Sequence, residues 1–537
     1  MMDRQKHIQA VIEKIAPWDI VVIGGGATGL GAALESASRG YQTLLLEQCD
    51  FAKGTSSRST KLVHGGVRYL RQGNISLVVE ALRERGRMKQ NAPHLVRDLA
   101  FIVPNYDWWE GPFYGIGLKI YDILAGKMGL GPSTWMSKDK TMEAIPTIEK
   151  IGLKGGIQYF DGQFDDARLA INIAQTFAEQ GGTLLNYAKA VDLHKDPETG
   201  LITGLTFIDQ ETNSTHKISA KAVVNATGVF SDSIRQIDDP DAKRLVMPSQ
   251  GVHIVLDQSF LPGNTAIMVP ETDDGRVLFA IPWHNRTIVG TTDTLLEQAS
   301  LEPLPFVDEV EFLLEHASRY LNRNVTHSDV LSVFAGLRPL VTSEHSDSSA
   351  VSRDHNLFIA RSGLVTITGG KWTTYRKMGE DTIDQAASLA GLDEKESVTK
   401  DLPIHGAKSE QSLDFTDPLS LYGSDAPKLK ALSNEDPNLQ NQVHPNLPIT
   451  FAQIVWAVRH EMARTLDDVL ARRTRAILFD AKASLEVAPQ IAELMARELG
   501  QDQSWIDSQI KIFGELVEGY ILRDDWKLRL PTRLSQL

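Results

Sequence analysis

Three kinds of hydrophobic patterning follow one another along this chain. Asp19-Ile-Val-Val-Ile23 is a β-branched apolar run that predicts a short buried strand. It breaks into Gly24-Gly-Gly-Ala-Thr-Gly29 and then into a helix-compatible stretch ending near Arg39. Tyr41-Gln-Thr-Leu-Leu-Leu46 predicts a second buried strand ending on Glu47, which closes a βαβ unit. Helical spacing returns over Ile75 to Leu95, and again from Asp165 or Asp166 to Glu179, ahead of a strand at Thr183–Tyr187. Lys221–Gly228 and Leu364–Gly370 repeat the strand-then-glycine pattern. Between them, His253–Leu256, Val277–Ile281 and Thr287–Gly290 predict strands of an antiparallel sheet. Beyond residue 405 the periodicity is helical: Phe451, Ile454, Val455 and Val458 share a face, as do Ile506, Ile510, Phe513, Val517 and Tyr520. The proline-bearing, polar stretch Asp414–Pro448 reads as the linker into that helical part.

With 537 residues the chain exceeds one core, and the pattern predicts an α/β protein in three parts. A doubly wound nucleotide-binding domain takes residues 18–100, 155–240 and 345–400, and an antiparallel-sheet domain takes 101–154 and 241–344. A helical domain takes 405–537, and residues 1–17 form a short surface helix without the apolar segment of a signal peptide. The net charge of -14 argues against nucleic acid as a partner. Cys49 stands alone, so no internal disulfide or Cys-x-x-Cys cluster is expected, in keeping with a reducing, cytoplasmic setting. No stretch is long and apolar enough to span a bilayer, which leaves a peripheral association open.

The spacing Gly24-x-Gly26-x-x-Gly29 between a strand and a helix, with Glu47 closing the next strand, predicts dinucleotide binding. The glycines admit a pyrophosphate to the helix N-terminus, Thr28 lies in the same turn, and Glu47 accepts from ribose hydroxyls. NAD and FAD both use this motif. Three further glycine-bearing segments favour FAD, because an isoalloxazine needs backbone approach from distant parts of the chain. They are the Ser/Thr loop with Ser56, Ser57, Lys61 and His64 before Gly65-Gly66, the Asn225–Gly228 turn, and Gly369-Gly370 before Lys371, Trp372 and Thr373.

Thr55–Leu70, Asp165–Leu169, Gly290–Asp293, Gly336–Pro339 and Gly369–Arg376 together resemble the FAD-dependent glycerol-3-phosphate dehydrogenase family, and Glu461–Arg473 extends the likeness more loosely into the C-terminal part. The resemblance implies an amino-acid-oxidase-like FAD domain, an antiparallel substrate domain and a helical cap. It also implies oxidation of glycerol 3-phosphate to dihydroxyacetone phosphate, with electrons passed to membrane quinone or, in an oxidase branch, to oxygen. By matched motif the substrate contacts are Arg68, His253, Arg338 and Lys371, with Arg353 a weaker candidate. Gly251-Val-His253 departs from the family's usual Gly-Ser-His, which removes one hydroxyl beside the histidine.

The chemistry of the residues agrees with this. Oxidising a secondary alcohol requires a hydride acceptor and a base for the hydroxyl proton, and a histidine titrating near the working pH is the usual base. His253 is the first candidate and His64 the reserve. A phosphate dianion calls for the parallel donors of a guanidinium, for which Arg338, stiffened by Pro339, is suited. His460-Glu461 lacks a second zinc-ligand histidine, Gly370-Lys371 lacks the Ser or Thr of a P-loop, and no Gly-x-Ser-x-Gly occurs. An amine or amino-acid oxidase and a non-catalytic FAD-binding module remain the alternatives. Trp108, Trp109, Phe113 and Tyr114 lead into Ile116, Leu118, Ile120, Tyr121 and Leu124, with Lys119 and Lys127 nearby. That cluster suits either a membrane-surface foot or a domain core.

Overall fold

The computed structural model describes residues 2–66, 74–106, 110–270, 272, 275–341, 355–410, 413–415 and 417–532, with 110–114 and 127 in backbone only. The opening unit is β1 (Trp18–Ile23), α1 (Ala27–Ser38) and β2 (Thr43–Leu46). β1 and β2 run parallel in the middle of a sheet and are covered on both faces, which accounts for unbroken apolar runs in place of alternation. Across this sheet the strands lie in the order His355–Ile359, Val365–Gly369, Ser214–Asn225, β1, β2 and Thr183–Leu185. All neighbours are parallel except His355–Ile359 with Val365–Gly369.

On one face α1 packs with two later helices, α2 (Asp166–Glu179) and α3 (Tyr375–Leu389), in a shared apolar core. α1 and α3 touch backbone to backbone: a Cβ on Gly31 would lie 2.7 Å from the Tyr375 carbonyl oxygen, and one on Gly379 would lie 2.6 Å from that of Gly31. That contact fixes where α3 begins, and α3 begins at the end of the Gly369–Thr374 loop.

The second sheet is largely antiparallel and is built around Val246–Asp257, which pairs with Arg286–Gly290 and Val330–Val341. Thr265–Val269 against Val96–Asn105 is a parallel join. The strand Gly155–Phe164, expected in the nucleotide-binding domain, is instead hydrogen-bonded along its length to Val96–Asn105. Leu62–Val63 pairs with its far end and so joins the same sheet. Pairing decides this: both segments reach the second sheet through non-local partners that no local pattern announces.

The stretch Asp414–Pro448 is not a linker. It contains a 3₁₀ segment at Pro418–Asp425, a helix at Ala426–Leu432 and a hairpin of Gln442–His444 with Leu447–Thr450. Its prolines 418, 427 and 437 occupy first-turn positions, where the missing N–H costs nothing, so they start short helices rather than break structure. Tyr422, Leu429 and Leu432 enter one apolar core with the helices Phe451–His460, Ala481–Leu499 and Gln503–Val517 and with Leu99, Phe101 and Ile288 of the second sheet.

A buried ion network ties this part to the nucleotide-binding unit. Asp50, four residues beyond β2, accepts from Arg472 Nε at 2.6 Å and from Arg473 at 2.6 and 2.8 Å. Arg472 also reaches Asp467 and Asp468. Among the described residues no helix is long and apolar enough to cross a membrane.

Candidate active site

The turn after β1 is shaped by Gly24, whose φ of +112° lies outside the range that side chains favour and whose Cβ would fall 2.6 Å from the Ala226 carbonyl oxygen. A Cβ on Gly29 would overlap the Gly24 carbonyl oxygen, so that glycine spaces the helix from the turn. The N-terminus of α1 thereby opens onto a cavity of about 540 Å³. Ser56 Oγ accepts from the Ala27 amide at 2.8 Å and closes the first turn. Glu47 accepts from the Gly25 amide at 2.6 Å and the Cys49 amide at 2.8 Å. Burial is the largest influence on its carboxyl and holds its pKa above the usual value, against the pull of those two amides.

Of the predicted cofactor residues, Gly24, Gly26, Thr28, Glu47, Ser56, His64 and Gly228 line this cavity. Gly369, Gly370, Lys371, Trp372 and Thr373 line it as well. The two loops are fastened to each other, Trp372 Nε1 donating to the Ser56 carbonyl at 2.9 Å and the His64 amide donating to Thr373 Oγ1 at 3.3 Å. Gly29, Ser57, Lys61, Gly65 and Gly66 do not line it. The Lys61 side chain is fully buried, with Nζ 2.8 Å from both Asp166 oxygens and 2.7 Å from the Ser57 carbonyl. The Gly65 amide donates to Tyr121 Oη at 2.7 Å, and a Cβ there would strike Leu82. Lys61 and Gly65 thus shape the loop from behind. Arg68 and Arg353 lie outside the described residues.

His253 and Arg338 come from neighbouring strands of the second sheet and both face the cavity. The His253 ring is buried, stacked on Phe334 at 4.8 Å and 10°, with Nε2 2.9 Å from Thr60 Oγ1. Burial above all, then the charges of Arg338 and Lys61, pull its pKa well below the ordinary histidine value. Against the expectation of a histidine titrating near the working pH, these surroundings favour the neutral ring. Arg338 donates to Thr291 Oγ1, the Thr292 carbonyl and Asp293 Oδ1, each at 3.2 Å. Gly251 makes room for it, since a Cβ there would lie 2.5 Å from Nη2.

Residues that sequence reasoning passed over also line the cavity: Thr60, Lys53, Arg58 and Leu301. Arg58 pairs with Glu302 at 2.5 Å, and Lys53 pairs with Glu302 and, at 2.6 Å, with Asp467. Thr60 and Arg58 stand inside the Ser/Thr run that drew attention as a whole, but nothing local tells which of its members face inward.

The geometry passes a direct test for a dinucleotide of FAD's kind. A glycine turn at a helix N-terminus, two glycine-bearing loops and His253 line one cavity. A family model described as FAD dependent oxidoreductase matches residues 19–376, and one described as the C-terminal domain of alpha-glycerophosphate oxidase matches residues 397–505. The chain is 40% identical over 526 residues to a probable mitochondrial glycerol-3-phosphate dehydrogenase of Caenorhabditis elegans, covering 92% of this chain and 72% of that protein. It is 39% identical over 523 residues to the mitochondrial glycerol-3-phosphate dehydrogenase of Homo sapiens, covering 91% and 72%. The crystal structure of the glycerol-3-phosphate dehydrogenase from Bacillus halodurans complexed with FAD is 30% identical, covers 96% of this chain and 97% of its own, and superposes with a TM-score of 0.78. FAD is therefore the cofactor, and with cradle, sheets and C-terminal unit all accounted for, the chain belongs to the FAD-dependent glycerol-3-phosphate dehydrogenase family.

Proposed function

We propose that this protein oxidises sn-glycerol 3-phosphate to dihydroxyacetone phosphate and passes the electrons to a membrane quinone. The observation that carries this reading is the convergence of His253, Arg338 and Lys371 on the cavity that begins at the α1 N-terminus. Gly24, Gly26, Thr28, Ser56 and Glu47 hold the adenosine and pyrophosphate end of FAD, while His64, Gly228 and the Gly369–Thr373 loop hold its ring. Bound FAD supplies the hydride acceptor for the hydrogen on carbon 2. His253, kept neutral by its surroundings, takes the hydroxyl proton as the carbonyl forms. Arg338 and Lys371 bind the phosphate dianion and set the alcohol's direction, and the guanidinium's two parallel donors fit that anion better than a point charge does.

The acceptor is a quinone and the protein docks peripherally on the cytoplasmic face of the membrane. A stripe of exposed apolar residues, Ile116, Ile120 and Ile123, on the helix Glu110–Ala125 supports this. Anaerobic addition of glycerol 3-phosphate tests the reading: the flavin absorbance bleaches, and a soluble quinone restores it faster than oxygen does. Bleaching by an amino acid instead, or by no substrate, overturns the assignment. Faster recovery with oxygen makes the protein an oxidase of the same alcohol.

A further inference from the structure

Thr60 sits on the cavity wall with its hydroxyl 2.9 Å from His253 Nε2, and its backbone is pinned on both sides. On one side Ser59 gives Asp166 two hydrogen bonds, 3.1 Å from its amide and 2.7 Å from its hydroxyl. On the other, Lys61 holds the same carboxylate at 2.8 Å through Nζ and adopts φ of +63°, a left-handed conformation that costs a lysine energy and persists only where contacts enforce it. Asp166 itself is buried and opens α2, where the helix N-terminus favours its charge. The clamp leaves Thr60 little freedom to turn away.

The His253 ring is equally confined. Phe334 covers one face, and the Cδ2 edge packs so closely on Gly290 that no Cβ fits there. Nδ1 is buried and has no hydrogen-bond partner among the described residues. Nε2 is thus the nitrogen whose proton state is coupled to a cavity-lining group. A hydroxyl suits both states: it donates to the Nε2 lone pair while the ring is neutral, and by rotating it accepts from Nε2–H once the ring is charged.

We propose that Thr60 is a positioning residue for His253, held by the Asp166 clamp so that its hydroxyl keeps Nε2 as the proton-accepting nitrogen and then stabilises the imidazolium. The inference rests on the reading of His253 as the base. In the step it serves, the substrate hydroxyl replaces the Thr60 hydrogen at the Nε2 lone pair as the Thr60 O–H rotates away. The substrate O–H bond breaks and its proton passes to Nε2, whose N–H then has the Thr60 oxygen as acceptor. The substrate oxygen's electron pair forms the carbonyl as the carbon 2 hydrogen leaves as hydride to FAD, which would supply the acceptor. The Thr60 hydroxyl keeps its own proton throughout.

Rapid-mixing flavin reduction in the holoenzyme tests this with Thr60→Val, Thr60→Ser, His253→Gln and the Thr60→Val/His253→Gln double variant. Thr60→Val slows reduction roughly tenfold and moves the acid limb of its pH profile to lower pH, because the imidazolium loses its acceptor. Thr60→Ser restores both, and Thr60→Val adds nothing once His253 is gone. A second readout needs no turnover: diethylpyrocarbonate labelling of His253, followed by peptide mass, speeds up in apoprotein carrying Thr60→Val, since Nε2 has lost its partner. Reduction at the wild-type rate and profile in Thr60→Val, an equal slowing in both backgrounds, or unchanged labelling overturns the proposal. Reduction at the wild-type rate in His253→Gln removes the base reading itself, a result that the Thr60 variants do not produce.

Discussion

Arg338→Lys keeps a positive charge at the cavity but removes the fork that now reaches Thr291, Thr292 and Asp293 together. A charge-assisted hydrogen bond contributes about 1.5–3 kcal/mol, so kcat/KM for glycerol 3-phosphate falls roughly ten- to a hundredfold. FAD content stays at the wild-type level, because the residue belongs to the second sheet. Steady-state kinetics with flavin absorbance as control reads both quantities. The His253 environment makes a separate prediction about pH. Burial first, then Arg338 and Lys61, favour the neutral ring, so the base form persists as pH falls through the ordinary histidine range. Flavin reduction at saturating glycerol 3-phosphate therefore stays near its plateau from about pH 8 to below about pH 6.5, and an acid limb centred in the ordinary range would contradict it.

The helix Glu110–Ala125 shows how one element can serve two faces. Leu118, Tyr121 and Ala125 are buried, and Tyr121 Oη donates to Asp161 at 2.9 Å. Ile116, Ile120 and Ile123 recur at helical spacing on the opposite face and are 65%, 45% and 77% exposed, with Trp135 beside them at 55%. The sequence grouped Leu118 and Tyr121 with the proposed foot, and the structure places both in the core instead. Trp108 and Trp109 lie outside the described residues. An exposed apolar stripe with Lys119 at its margin suits the interface of an anionic bilayer. Co-sedimentation with anionic lipid vesicles is expected for the wild type and lost in Ile116→Asp/Ile123→Asp at unchanged FAD content. Wild type left in the supernatant rules out docking, whereas undiminished binding by the folded double variant rules out this helix alone.

Across the whole molecule, charged side chains join the pieces. The Asp50–Arg472–Arg473 network brings the C-terminal unit to the segment just after Glu47, so that unit and this wall of the cavity are joined through buried charges. His405 makes a second joint, with Nδ1 2.5 Å from Glu179 at the end of α2 and Nε2 2.6 Å from Asp425 in the C-terminal unit, which also pairs with Lys428. Burial, the largest single influence, lowers the His405 pKa, but hydrogen bonds to Asp425 and Glu179 and their charges outweigh it and raise the value to about 9. A pKa raised on folding contributes stability that is complete below about pH 6.5 and is lost as pH rises through about 9. With Glu179 half exposed, the contribution is about 1–3 kcal/mol. Thermal unfolding should show Tm falling between about pH 7 and 9.5 in the wild type, with that part of the slope absent in His405→Asn.

The nucleotide-binding unit was legible because its information is local. β1, the glycine turn, α1 and β2 are consecutive, and burial on both faces writes an unbroken apolar run into each strand. The antiparallel strands and the C-terminal helices were legible for the same reason, their period being a property of one segment. His253, Arg338 and Lys371, which line the cavity, were named through the resemblance of spaced motifs to a known family rather than through any local period. What tertiary structure alone decided are the relations between distant segments. Gly155–Phe164 joins the second sheet because Val96–Asn105 offers it a partner. Asp414–Pro448 folds because Tyr422 and Leu429 find an apolar core that its polar, proline-bearing sequence does not suggest. Lys61 turns inward because Asp166, 105 positions away, is buried and needs a cation. The pKa of His253 falls because folding removes its water and sets Arg338 and Lys61 near it, and no spacing along a chain encodes a dielectric environment.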